Sequence, residues 1–339
     1  MEKTKLLKSI LIPTLGISAI GTIAAISTSC GSEKNIENQY VAITANADST
    51  LTLIYSGLGI NLDLQYSTDG KSWSTYSSEL NINQGQTLYL KGNNPTGWSS
   101  SGSVYSYLSI AGDVSVSGNV MALLDNGAKS GEEGDITDIP CDYCFYDLFR
   151  DSTGITSVSE DFLPATNLAN SCYRDMFYQC TTLTNAPELP ATTLKDSCYY
   201  GMFENCTSLT NAPELPATTL TPRCYASMFY KCSSLTTAPE LPATNLARDC
   251  YAWMFSSCSA LTTAPELPAT TLTTGCYQCM FKNCISLKSI KIGYTGNYDY
   301  TYFDYWVNDV ASSGTFYYNG ITQTAQDFQL PSGWTTSRF

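Results

Sequence analysis

Apolar and polar positions follow two different periods along this chain. Over residues 40–124 apolar residues recur at every second position, in Tyr40-Val41-Ala42-Ile43, Leu51-Thr52-Leu53-Ile54-Tyr55, Leu62-Asp63-Leu64-Gln65-Tyr66, Thr87-Leu88-Tyr89-Leu90 and Val114-Ser115-Val116. Alternation turns one side of an extended segment to a core and the other to water, so these read as half-buried strands. Thr68-Asp69-Gly70, between Tyr66 and Trp73, supplies residues that tolerate the left-handed backbone of a tight hairpin. Short strands separated by turn residues predict an antiparallel β-sandwich over residues 40–125. Trp73, Tyr76 and Trp98 are read as its core aromatics, with sugar-stacking platforms as the alternative.

From Leu163 the apolar spacing becomes four, inside a longer period of 26 residues that runs without slippage through residues 163–188, 189–214, 215–240, 241–266 and 267–292. Such a period calls for a stacked repeat architecture. In the second unit Leu194, Cys198, Met202 and Cys206 are four apart, with Tyr199 and Phe203 forming a second row. That spacing predicts one apolar face of a short helix, opened by Pro190 with Thr192 or Thr193 at the N-cap. The segment from Ser208 to Pro213 is too short for another helix and predicts a brief strand.

The fold class expected is α+β: the sandwich, then a leucine-rich-repeat-like solenoid with a short helix and a short strand per unit, then a β-rich C-terminal cap. The segments are 1–30, a lipoprotein signal; 31–39, a polar tether; 40–125, the sandwich; 126–140, an acidic glycine-rich linker; 141–162, a degenerate N-terminal cap repeat; 163–292, the five units; and 293–339, the C-terminal cap. The signal is read from Lys3, Lys5 and Lys8, the apolar stretch 9–26 and Ser27-Thr28-Ser29 ahead of Cys30. It resembles the signals of bacterial lipoproteins, which implies lipid on Cys30 and a protein anchored on the extracellular face of the cell membrane.

Met202-Phe203, Cys206 and Ser208-Leu209-Thr210, matched at Met176-Phe177 with Cys180, Met228-Phe229 with Cys232, Met254-Phe255 with Cys258 and Met280-Phe281 with Cys284, are similar to the units of BspA-like leucine-rich-repeat surface proteins. The resemblance covers about 150 residues. It implies an exported protein whose repeats adhere to a host or neighbouring-cell protein or to a glycan, with no catalytic residues to carry over. The alternatives are a carbohydrate-active enzyme using carboxylates of the flanking β domains, and a passive surface spacer.

Composition narrows the chemistry. The formal net charge of −13 opposes phosphate contacts, so nucleic acid is not an expected partner. The chain has no histidine, which removes the usual proton shuttle and the commonest metal ligand, and no cofactor, metal or catalytic residue is expected. Of the 14 cysteines, those paired eight apart would be roughly 12 Å apart on a helix, and packed helices separate neighbouring units by about 8–10 Å. Free thiols filling a core are therefore expected in preference to bridges. Cys141-x-x-Cys144 and Cys276-x-x-Cys279 lie at opposite ends of the repeats and cannot share a metal, and neither follows the βαβ pattern of a redox motif.

Within the units the core positions are fixed while two pairs vary: Arg174-Asp175, Tyr200-Gly201, Ala226-Ser227, Ala252-Trp253, and Tyr178-Gln179, Glu204-Asn205, Tyr230-Lys231, Ser256-Ser257. Variation on a constant frame is where partner choice can reside, and Tyr178, Tyr200, Tyr230 and Trp253 are the candidate binding residues. Glu188, Glu214, Glu240 and Glu266 recur as an acidic ladder, read as a solvated face or a surface for cations or a basic partner.

Overall fold

The computed structural model describes residues 39–57, 61–125 and 137–339. Cys30, the signal and most of the acidic linker lie outside the described residues.

Four of the five period-two segments become strands, while of Leu62–Tyr66 only Gln65 and Tyr66 do. β1 (Val41–Ser56) and β6 (Tyr105–Gly118) pair antiparallel from Val41↔Gly118 to Ser56↔Tyr105. β1 merges two of the predicted strands, with register shifts between Ala45 and Ala47 and between Ala47 and Thr50 that bend it. β2 (Gln65–Ser67), β3 (Ser74–Thr75), β4 (Leu80–Ile82), β5 (Thr87–Lys91) and β7 (Ile155–Val158) complete one seven-stranded sheet, ordered β3-β2-β5-β1-β6-β7 with β4 on β1. The β2–β3 hairpin forms at Asp69-Gly70, where the Asp69 carboxylate accepts from the Lys71 and Ser72 amides at 2.8 and 2.7 Å and Gly70 has φ 66°. β7 pairs parallel to β6, so the sheet runs directly into the first repeat-like segment, and one hydrophobic core extends from Val41 to Trp334. Trp98 is fully buried and its Nε1 donates to the Ser106 carbonyl at 2.9 Å.

The repeats do not fold as expected. Among the described residues the one α-helix is α1 (Tyr300–Phe303), in the C-terminal segment. The resemblance to leucine-rich repeats and the helix-plus-strand solenoid are therefore corrected, because no unit contains a helix and, in all but the last unit, the expected strand shrinks to isolated bridges such as Asn185↔Asn211 and Asn211↔Thr237. What each unit builds is a run of tight turns. Ser171, Asp175 and Gln179 all have positive φ, as do Ser197, Gly201 and Asn205, and Ser227 and Lys231. A left-handed residue at every fourth position resets the chain before a helix can propagate.

Hydrogen bonding then alternates. Met176, Tyr178 and Cys180 donate their amides three residues back, to Tyr173, Asp175 and Phe177, while the amides of Tyr173, Asp175, Phe177 and Gln179 donate to Cys198, Tyr200, Met202 and Glu204 of the next unit at 2.8–3.0 Å. An α-helix would have kept these amides inside one unit. Here half of them tie one layer to the next, as in a sheet.

Four-residue turns keep the side chains in register. Phe149, Phe177, Phe203, Phe229, Phe255 and Phe281 form one column with ring centroids 5.6–5.9 Å apart. Tyr173, Tyr199, Tyr225, Tyr251 and Tyr277 form another at 5.9–6.3 Å. Each stacked pair adds about 0.5–1.5 kcal/mol beyond its buried area. Cys180, Cys206, Cys232, Cys258 and Cys284 fill the interior and donate their thiols to phenylalanine carbonyls at 3.0–3.2 Å. The described cysteines are free thiols. The stacked layers lie closer than packed helices, with rings 5.6–6.3 Å apart, so the helix spacing expected to separate the thiols of neighbouring units does not apply.

β8 (Ser289–Lys291), β9 (Ser313–Tyr317) and β10 (Gly333–Ser337) close the far end as a parallel three-stranded sheet. Phe303, Trp306, Phe316 and Phe328 pack over the last layer beneath it. Among the described residues no helix is long and apolar enough to cross a membrane.

Candidate functional site: two faces of the stacked turns

The structure places the four candidate aromatics on the turn face, all half-buried. It does not join them into one platform. The Arg150 guanidinium lies 4.4 Å from the Tyr178 ring and that of Arg174 lies 4.3 Å from Tyr200, the same Arg174 facing Tyr146 at 5.9 Å. Tyr230 and Trp253 meet edge-on at 6.0 Å, and Lys282 sits 5.3 Å from Trp253. These ring faces already hold cations of this chain, so Tyr178 and Tyr200 orient Arg150 and Arg174 toward carboxylates. Arg150 donates to both Asp147 oxygens at 3.3 Å, and Arg174 to Asp175 at 3.1 Å. Burial raises the Asp147 and Glu204 carboxyls to about 7, with Arg150 opposing the shift at Asp147. The adhesive function expected of the repeats is corrected with the architecture that implied it: no helix-and-strand solenoid presents these residues.

The other face is built by the recurring Ala-Pro-Glu-Leu-Pro-Ala. Proline has no amide proton, so two positions in six cannot donate to a neighbouring layer. At the ends of the stack the segment is still tied down, by Glu188 N to Glu160 O at 2.9 Å and Leu267 N to Lys291 O at 3.0 Å. Between Ala212 and Pro216 and between Ala238 and Pro242 no backbone hydrogen bond crosses between layers among the described residues. Grooves open there. One of about 200 Å³ is walled by Pro213, Pro216, Pro239 and Pro242 with Glu214 and Glu240 at its rim. The next, of about 330 Å³, shares Pro239, Glu240 and Pro242 and adds Pro265, Glu266 and Pro268.

Their floor is apolar, with Pro213, Pro239 and Pro265 buried, while the glutamates are exposed. At the last layer Lys291 reaches Glu266 at 2.9 Å, its ammonium also 4.2 Å from the Phe339 ring. The acidic ladder was visible in the sequence; the groove walls were not singled out, although twin prolines recurring with the same period as the glutamates were the available signal.

Other expected sites resolve simply. Tyr76 is half-buried against the core and accepts the Leu53 amide at 2.8 Å, while Trp73, expected in the core, is half-buried outside it, edge-on to Tyr40 at 4.6 Å with Lys91 4.3 Å from its ring. No cluster of three or more potential metal-ligating side chains occurs among the described residues. No family model, curated protein or solved structure matches this chain.

Proposed function

We propose that the chain is a non-catalytic protein carried on the outer face of the cell membrane by lipid on Cys30, and that its proline-walled grooves receive a lysine-bearing segment of a partner protein. The supporting observation is internal: where the chain itself covers the end of this face, it does so with Lys291 on Glu266. The same geometry with Glu214 and Glu240 lacks a cation of the chain among the described residues. An apolar groove between carboxylates suits the aliphatic stem and ammonium head of lysine together. This reading needs neither the leucine-rich-repeat architecture nor open aromatic platforms.

The test is titration of the full chain with an oligolysine peptide at several salt concentrations. Glu214→Gln with Glu240→Gln should weaken binding about fivefold to tenfold, two exposed pairs contributing up to about 1 kcal/mol each. A control that removes equal charge, Glu79→Gln with Asp125→Asn, should change it less than twofold. Equal losses in both pairs would reduce the effect to net charge and defeat the proposal. Loss of binding with Tyr178→Ala, Tyr200→Ala, Tyr230→Ala or Trp253→Ala, and not with the glutamates, would move the site to the turn face.

A further inference from the structure

Thirteen cysteines are described, and all are buried except Cys141. Its thiol is half-exposed and donates to the Thr96 carbonyl at 2.9 Å, and the buried thiol of Cys144 lies one turn further on. Asp142 and Tyr143 form the turn between them, with Tyr143 at φ 58°, and the ends of such a turn lie within about 7 Å, inside the reach of a disulfide. The loop from Asn94 to Ser99 is held over the pair: the Trp98 and Ser99 amides donate to the Cys144 carbonyl at 2.8 and 3.2 Å, and a Cβ on Gly97 would press on the Cys141 sulfur. Cys276-x-x-Cys279 shares the spacing but not the exposure, since both its thiols are buried.

We propose that Cys141 and Cys144 form a thiol–disulfide exchange site, with Cys141 as the attacking thiol, Cys144 as the resolving thiol and a protein or small-molecule disulfide as the oxidant. In the first step the Cys141 thiolate attacks one sulfur of the oxidant, forming a mixed disulfide and expelling one thiolate. The Cys144 thiolate then attacks the Cys141 sulfur, closing the Cys141–Cys144 bond and expelling the second thiolate. The two protons given up by Cys141 and Cys144 pass through solvent to the two expelled thiolates, so the oxidant leaves as two thiols while the pair loses two electrons. The division of roles follows from exposure, since Cys141 is half-exposed and Cys144 is buried. The neighbouring Cys144 thiol lowers the Cys141 pKa against burial and Asp142, and Cys141 together with burial raises Cys144. The closed bridge would fix the turn that carries the Trp98 loop, at the junction of the sheet with the first layer.

The full chain, reduced and then equilibrated anaerobically with graded glutathione and glutathione disulfide, is quenched in acid, alkylated and peptide-mapped. The expected result is an internal Cys141–Cys144 bridge formed in one two-electron step, with the cysteines of the stacked layers still alkylated after denaturation. Cys144→Ala should leave Cys141 trapped as a glutathione mixed disulfide, forming at least about tenfold faster than on any buried cysteine. Cys141→Ser should abolish capture at Cys144. A pair that stays reduced in excess glutathione disulfide, or a Cys144 bridge to Cys172 instead, overturns the proposal. Should Cys144→Ala fail to fold, mapping the wild-type chain at early quench times decides it: a first adduct on Cys144 or on a cysteine of the stacked layers, ahead of Cys141, overturns the assignment.

Discussion

The seven-stranded sheet and the stacked turns solve one problem in two ways. Both lay chain segments side by side and join them by amide hydrogen bonds. In the sheet, Val41, Ile43 and Ala45 face the core and every residue contributes to a strand. In the stack, a left-handed residue at every fourth position folds the segment into turns, and only alternate amides reach the next layer. The difference is one of ambiguity. A period of two has one common structural meaning, whereas a spacing of four lies close enough to the helical 3.6 to be taken for it.

The comparison can be tested by substitution. Phe229→Ala, inside the ring column, should cost about 3–5 kcal/mol, and Leu108→Ala in the sheet about 2–5 kcal/mol, both read from denaturant unfolding. A cost under about 1 kcal/mol at Phe229 would mean that the column does not hold the layers.

Smaller, and sharper in sign, is Gly201→Ala. In a helix this change would stabilise by about 1 kcal/mol. In the turns Gly201 has φ 59° and an added Cβ runs into the Asp175 carboxylate, so a loss of about 1–2 kcal/mol is expected. Conversely, Ser227→Gly, at φ 56°, should be neutral or slightly stabilising. Opposite signs for this pair would restore the helix.

A further effect concerns pH and belongs to the stack alone. Asp147 and Glu204 titrate near 7 in the folded chain, from ordinary values of 3.8 and 4.5, so the native state binds protons that the unfolded state has released. Their contribution to stability is fully present below about pH 4 and is lost as pH rises through about 7. The unfolding midpoint should therefore fall from about pH 4 to about pH 7 and level off above it, and Asp147→Asn should flatten that fall. An unchanged slope in the variant would remove Asp147 from the account.

The strands of the sheet were legible and the form of the repeats was misread, for identifiable reasons. The strands around Val41, Leu88 and Val116 were readable because alternation is local, as was the Asp69-Gly70 turn. The turns were also encoded, in two signals that a helix does not produce. Cys198, Met202 and Cys206 keep a spacing of four with no drift, while a helix would rotate each successive residue by about 40°. The αL positions are rich in Asp, Asn, Ser and Gly, which tolerate that conformation. Tyr178 and Tyr200 were correctly read as variable, yet no pattern in one unit shows that Arg150 and Arg174 of the preceding layers cover their rings.

By itself, then, the sequence determined the repeat length, the fixed core positions, the alternating strands and the acidic ladder, because each follows from the order of side chains along the chain. Only the tertiary structure decided that the unit is a run of turns and not a helix. It also decided that proline-walled grooves open beside the glutamates, and that Cys141 meets Cys144 beneath the Trp98 loop. Those outcomes depend on where an amide finds its acceptor: in the turns that acceptor lies one unit away, and it exists only once the next layer has docked.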